Sequence, residues 1–136
     1  MTNWIVGQTD RFRAAVTQRS TCNRYSMFGT SDIGFNHANW EFPGYPSRNP
    51  GGYLDRSPIT YADNVTAPML IIHAENDLRC PISQTEEWFV VLKRLKKEAV
   101  LVRFADENHE LSRSGLPKHW IRRLELILER FDQYLA

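Results

Sequence analysis

The chain has 136 residues, 42% of them hydrophobic and 24% charged, with a formal net charge of +1. That length gives a single domain, and that composition supplies an ordinary core rather than a disordered segment. A charge so near zero offers no field for nucleic acid or an anionic membrane, the two cysteines (Cys22 and Cys80) give neither a disulfide framework nor a metal spacing, and no apolar run approaches a membrane span.

Met1 to Gly7 lacks the basic start and long apolar run of a secretory signal, so the expectation is one soluble cytoplasmic domain over residues 1–136. Residues 1–10 read as a short helix with Trp4 and Ile5 on its apolar face, and Phe12 to Thr17 as a short strand. Residues 22–64 change character. They are rich in glycine, proline and aromatics (Tyr25, Phe28, Phe35, Trp40, Phe42, Tyr45, Tyr53, Tyr61), which reads as a long irregular excursion with one or two short helices. Ordered loops of that length are more often functional than not, although aromatics also serve simply to anchor such a loop.

Regularity returns with Met69 to His73, a continuous apolar run expected of a parallel strand buried on both faces. Ser83-Gln84-Thr85-Glu86 has the form of a capping box, with Ser83 as N-cap and Glu86 three residues on. The helix it opens carries Trp88, Phe89, Leu92 and Leu95 on one face and ends in the basic run Lys93 to Lys97, where cations complement the helix dipole. Ala99 to Phe104 is the next strand. Pro117 suits the first turn of a last helix, along which Ile121, Leu124, Leu128, Phe131 and Leu135 form an amphipathic stripe. Strand, excursion, strand, helix, strand, helix is the order of right-handed parallel α/β folds.

Two loops carry the chemistry. Asp77 follows the strand ending in Ile71-Ile72-His73, and His109 follows the strand ending at Phe104, 32 positions later. One helix and one strand fill that interval, so both loops return to the carboxyl edge of adjacent strands, where ligands bind in such sheets. A carboxylate beside an imidazole fixes its tautomer and stabilises the imidazolium formed when it takes a nucleophile's proton. Acid then histidine is the second half of the Ser…Asp…His order of α/β-hydrolases, yet no Gly-x-Ser-x-Gly elbow occurs in the chain. The nearest miss is Gly29-Thr30-Ser31-Asp32-Ile33-Gly34, in which the second glycine is misplaced and Ser31 does not follow a strand directly into a helix. A metal site on His73, Asp77 and His109 is disfavoured because His73 belongs to the packing of its strand. No glycine-rich turn follows the first strand, which argues against a nucleotide site.

The words Leu70-Ile71-Ile72-His73, Asp77 with Arg79-Cys80-Pro81-Ile82, and Glu107-Asn108-His109-Glu110-Leu111-Ser112-Arg113-Ser114-Gly115 resemble the end of the catalytic domain of the prolyl oligopeptidase family of serine peptidases. The resemblance is to its acylaminoacyl-peptidase and dipeptidyl-peptidase branch. Thr9 to Val16 and Ser57-Pro58-Ile59 read the same way, so it covers essentially the whole chain. It implies the C-terminal half of an α/β-hydrolase: about three parallel strands (12–17, 69–73, 99–104) with flanking helices, Asp77 as triad acid and His109 as triad base, and no cofactor or metal. Phe28, Ile33 and Phe35 would help line the pocket for the side chain preceding the scissile bond. Ala74 and Asp106 stand where the family often has glycine.

In that family the nucleophile motif Gly-x-Ser-x-Gly-Gly is followed by a stretch like Tyr-Met-Thr-Asn-Trp, and this chain opens Met1-Thr2-Asn3-Trp4. The resemblance therefore implies that serine, oxyanion hole, first strands and propeller lie outside these residues. Two expectations follow. One is an incomplete peptidase acting on short or N-acylated peptides, inactive until the N-terminal half complements it. The other is a non-catalytic domain that self-associates, as a homo-oligomer, through an open sheet edge.

Overall fold

The computed structural model describes residues 1–42 and 44–135, with the side chains of residues 37–39 not described. Strands β1 (Ala15–Gln18), β2 (Met69–Ala74) and β3 (Ala99–Phe104) form a parallel sheet in the order β1-β2-β3, with Ala15 opposite Met69 and Ala74 opposite Phe104. All six residues of β2 are buried, as its unbroken apolar run requires for a central strand. The alternation of the strand then divides the core. Met69 and Ile71 meet Val6, Trp88 and Leu92 on one face, while Leu70, Ile72 and Ala74 meet Phe104, Leu111, Leu126 and Ile127 on the other.

The strands fall where the sequence predicts, except that β1 starts three residues late and ends one later, and β2 runs one residue beyond His73 to Ala74. The pairing of β1 begins when the Ala15 amide donates to Pro68, and Phe12 lies outside it, 44% exposed. In α1 (Thr2–Ile5) and the residue after it the deeply buried positions are Asn3 and Val6, whereas Trp4 stands edge-on to Tyr61. The excursion contains more helix than expected: α2 (Arg24–Thr30), α3 (Gly34–Trp40), α4 (Pro50–Leu54) and a 3-10 stretch at Pro58–Asn64. Its aromatics are the anchor. Tyr53 is 1% exposed, stacks on Phe42 at 4.5 Å and meets the edges of Tyr25 and Phe28. At Gly34 any Cβ would lie 2.4 Å from the Met27 and Phe28 carbonyl oxygens, so only glycine lets α3 leave α2 so closely.

Helix α5 (Ile82–Arg94) buries Trp88 and Leu92 as expected, but the capping box does not form. Pro81 enters the helix in an extended conformation as the N-cap, Ser83 falls inside the first turn, and the Glu86 carboxylate pairs instead with Arg103 at 2.8 Å. Buried Gln84 stitches the excursion to α5: its Oε1 accepts from the Cys22 and Asn23 amides, and its Nε2 donates to Ser26. After the short α6 (Leu111–Ser114), α7 (Pro117–Leu135) opens on Pro117 as predicted. Its inward face is Leu126, Ile127 and Arg130, whose guanidinium reaches the Met69 carbonyl and Glu98. The apolar stripe lies on the other side, with Ile121, Leu124, Leu128 and Leu135 all more than half exposed.

Candidate active site

The carboxyl edge of the sheet gathers three loops. Beyond β2 comes 75–81, beyond β3 comes 105–110, and beyond β1 comes Arg19. The first two are tied by backbone: the Glu75 amide donates to Phe104 at 3.0 Å, and the Asn76 amide to Glu107 at 2.9 Å. That pairing brings Asp77 against His109. The imidazole Nδ1 lies 3.0 and 2.9 Å from the two Asp77 oxygens. A carboxylate accepts, so Nδ1 carries the proton and Nε2 is left as a free acceptor. Asp77 is 2% exposed, and the His109 side chain is 27% exposed. A buried acid holding a partly open histidine by Nδ1 can pass a proton from a hydroxyl at Nε2 and stabilise the resulting imidazolium.

Asp77 has further support. Its Oδ1 accepts from the Cys80 amide at 2.8 Å. Behind it lies His73, fully buried, with Nε2 2.7 Å from the Cys80 carbonyl, Nδ1 2.5 Å from the Thr85 hydroxyl, and Asp77 Oδ2 3.6 Å from Nε2. Burial holds His73 below its ordinary pKa, against the Cys80 carbonyl and the Asp77 charge, which act the other way. The expectation that His73 packs into its strand holds.

The excursion clamps the outside of the acid loop. Asp32 takes the Arg79 guanidinium on both oxygens at 2.7 and 3.2 Å, which keeps its carboxyl below the usual range. The Asp32 amide donates to Leu78, and the Ser31 hydroxyl donates to the Arg79 carbonyl at 2.7 Å while accepting from the Ile33 amide. Ser31 is thus a joint between two loops, closing α2 rather than standing on an elbow.

The histidine loop is pinned as well. Arg19, in the left-handed region at φ 48°, donates to the His109 carbonyl at 3.3 Å. The Glu107 carboxylate accepts from the Leu116 amide at 2.8 Å and meets His119 Nδ1 at 2.6 Å. Burial alone would raise Glu107, but those two donors outweigh it and hold the carboxyl low. Gly115 makes room, since a Cβ there would lie 2.5 Å from Glu107 Oε2. Asp106 adopts φ 61°, the conformation a glycine would take most easily, whereas Ala74 sits in the regular strand β2.

Of the three residues expected to line a pocket, Phe28 lies on a narrow cleft with Arg24, Met27, Gly34, Phe42 and Tyr53. Ile33 is half-buried, and Phe35 is 58% exposed on α3; neither lines that cleft. One donor cluster unforeseen in sequence is Asp77, Cys80 and His109, whose ligand atoms lie within 4.8 Å of one another. Its electrostatics are poor for a cation. Burial and the Asp77 charge push the Cys80 thiol up to about 11, and Arg19, Arg24 and Arg79 surround it with positive charge. The sequence reading passed over His73, Thr85, Cys80, Arg19, Glu107 and His119 as supports of the site. His73 stands out in the sequence as a lone polar residue in an apolar run, and Cys80 and Glu107 lie within the words that carry the family resemblance, but nothing local marks Thr85, Arg19 or His119.

Comparison with known proteins agrees with this geometry. The sequence model of the prolyl oligopeptidase family matches residues 1–136. The uncharacterized peptidase YuxL of Bacillus subtilis (strain 168) is 51% identical over 135 residues, 99% of this chain and 20% of that protein. An acylamino-acid-releasing enzyme of Arabidopsis thaliana is 32% identical over 121 residues, 83% of this chain and 16% of that protein. Among solved structures, Pyrococcus horikoshii acylaminoacyl peptidase superposes with a TM-score of 0.93 at 34% identity, covering 98% of this chain and 22% of that one. The three strands and their helices are therefore those of an α/β-hydrolase, and the chain spans about a fifth of the length of these relatives.

Proposed function

Because the chain belongs to the prolyl oligopeptidase family of serine peptidases, we propose that it carries the acid, Asp77, and the base, His109, of a triad whose serine comes from sequence outside these 136 residues. The observation behind this is the Asp77–His109 contact at the carboxyl edge of adjacent parallel strands. In the complete enzyme His109 Nε2 takes the serine proton as the hydroxyl attacks a peptide carbonyl, then returns it to the leaving amine. Asp77 holds the tautomer throughout. Resemblance to acylamino-acid-releasing enzymes favours short or N-acylated peptides as substrates. Phe28, with Ile33 and Phe35 on the same excursion, would contribute to the pocket beside the scissile bond.

The chain by itself is proposed to be inactive, since the oxyanion hole, usually the largest electrostatic contribution, is not among the features seen here. A cytoplasmic setting fits two buried free thiols, and no helix among the described residues is long and apolar enough to cross a membrane.

The test is hydrolysis of an activated ester and an acylated amino-acid anilide. It would use the chain alone and the chain mixed with the preceding half of a close relative's hydrolase domain. Turnover only in the mixture, abolished by His109→Ala, supports the proposal. Turnover that survives His109→Ala overturns it.

A second reading rests on the sheet. Among the described residues β1 pairs with β2 alone, which leaves its other edge without a strand partner there, and the exposed stripe on α7 adds apolar area. Such an edge can pair with a second copy or with a complementing N-terminal half. Light scattering across a concentration series distinguishes a self-associating domain from a monomer awaiting its other half.

A further inference from the structure

The imidazole of His73 has no part in the proton transfers proposed above, yet it is the most enclosed titratable group near them. It sits in β2 at 0% exposure, and both ring nitrogens are engaged. The partner of Nε2 is the Cys80 carbonyl, which can only accept, so Nε2 must carry the proton. Nδ1 then holds a lone pair, and the Thr85 hydroxyl donates to it from α5. The tautomer is fixed from both sides.

Cys80 links this ring to the acid. Its carbonyl accepts a hydrogen bond from His73 Nε2–H, and its amide donates to Asp77 Oδ1 at 2.8 Å. One residue therefore has both backbone polar groups committed, one to each side chain. The turn from Asp77 to Cys80 cannot shift without breaking one of these bonds in a buried setting, where an orphaned polar group is costly. From outside, the excursion also holds this turn through the Arg79–Asp32 pair, exposed to solvent and correspondingly weak, the Asp32 amide on the Leu78 carbonyl and the Ser31 hydroxyl on the Arg79 carbonyl, but none of these reaches the Asp77 carboxylate.

We infer that His73 is a positioning residue for Asp77: through Cys80 it fixes the turn so that both carboxylate oxygens face His109. The inference rests on the reading of Asp77 and His109 as acid and base. Neutrality is part of the role. An imidazolium at His73 would lie 3.6 Å from Asp77 Oδ2 and compete with His109 for its charge. The other ionisable groups that act on it are His109 and Glu86, besides Asp77 itself.

The test is nuclear magnetic resonance of the imidazole nitrogens in the 136-residue chain. The native protein is expected to show His73 as the Nε2–H tautomer and a low-field His109 Nδ1 proton. In His73→Leu that low-field proton is expected to move upfield or vanish, with Cys80 amide exchange faster by tenfold or more. His73→Gln, whose amide nitrogen can reach the Cys80 carbonyl, is expected to restore both. Thr85→Val removes only the donor to Nδ1 and serves if His73→Leu does not fold. It leaves the Nε2–H tautomer held by the Cys80 carbonyl but frees the ring to turn, and is expected to shift the same His109 proton. A folded His73→Leu or Thr85→Val protein with an unchanged His109 signal overturns the inference. Asp77→Asn separates the two levels: if it leaves the His109 proton unmoved, the acid–base reading itself fails.

Discussion

Replacing Gln84 by leucine asks how much of the long excursion is held by one buried side chain. Gln84 is 0% exposed, and its Oε1 accepts from the Cys22 amide at 3.1 Å and the Asn23 amide at 2.9 Å. Leucine fills a similar volume and leaves both amides without that acceptor. An orphaned buried donor costs about 1–3 kcal/mol. The Cys22 amide lies in buried surroundings and takes the upper part of that range, while the Asn23 amide is half-buried and takes the lower part. Ser26 loses the Nε2 donor but keeps its bond to Glu87 at 2.9 Å, so it adds little. Leucine recovers about 1 kcal/mol of apolar burial, and the net loss is about 2–3 kcal/mol.

In a domain of ordinary stability, roughly 5–15 kcal/mol, that is a large fraction. With a urea m-value of about 2 kcal/mol/M the midpoint is expected to fall by about 1–1.5 M. Exchange of the Cys22 and Asn23 amides should quicken most, because the loss is local before it is global. A midpoint within about 0.3 M of native, with both amides still protected, would refute the assignment of the excursion's anchor to Gln84.

Acidification tests the neutral state of His73. A buried imidazole held below its ordinary pKa binds its proton more readily in the unfolded chain, so stability is full above about pH 6.5 and falls as pH drops toward the folded value. The His73 contribution is up to about 1.4 kcal/mol per pH unit in that window, and urea melts at stepped pH should show a shallower slope in His73→Gln. Asp106→Gly relieves a left-handed backbone at φ 61° and is expected to stabilise by about 0.5–1 kcal/mol, read as a rise of a few degrees in Tm. The Ile121→Glu/Leu128→Glu pair alters side chains 60% and 63% exposed. The unfolding free energy from urea melts should stay within about 0.5 kcal/mol of native, while any self-association seen by sedimentation should weaken.

Fold and site were legible to different depths. The apolar runs of β2 and β3 and the positions of Asp77 and His109 follow from strand periodicity and from the rule that loops return to one sheet edge. The supports of those two residues do not follow from any local pattern. Thr85 meets His73 across the interval from β2 to α5, and His119 meets Glu107 around the turn into α7. The capping box failed because a local motif met stronger competitors, with Pro81 setting the entry to α5 and Arg103 claiming Glu86. The last helix showed a clear apolar stripe at the right spacing, yet its opposite face packs on the sheet, led by Arg130. Periodicity shows that a helix has an apolar face; which face meets this sheet is decided by tertiary contacts.

If the nucleophile comes from outside these residues, as proposed, the bonds around the acid and histidine loops bear on how it is accommodated. Every segment that positions Asp77 and His109 is tied within these residues: Asn76 to Glu107, Cys80 to both Asp77 and His73, Asp32 to Arg79, Arg19 to His109, and Glu107 to His119. None of these ties needs a serine or an oxyanion hole to form. Under the proposed reading, the two-residue half of the triad is ordered before the third residue arrives, so binding of a complementary half need not also order these loops, an ordering that would cost about 1–2 kcal/mol per residue. Complementation should then leave the His109 Nδ1 proton near its position in the chain alone, and the change on adding the other half should be confined to Nε2. A large shift at Nδ1 would mean that the acid–histidine pair is assembled by its partner rather than by this chain.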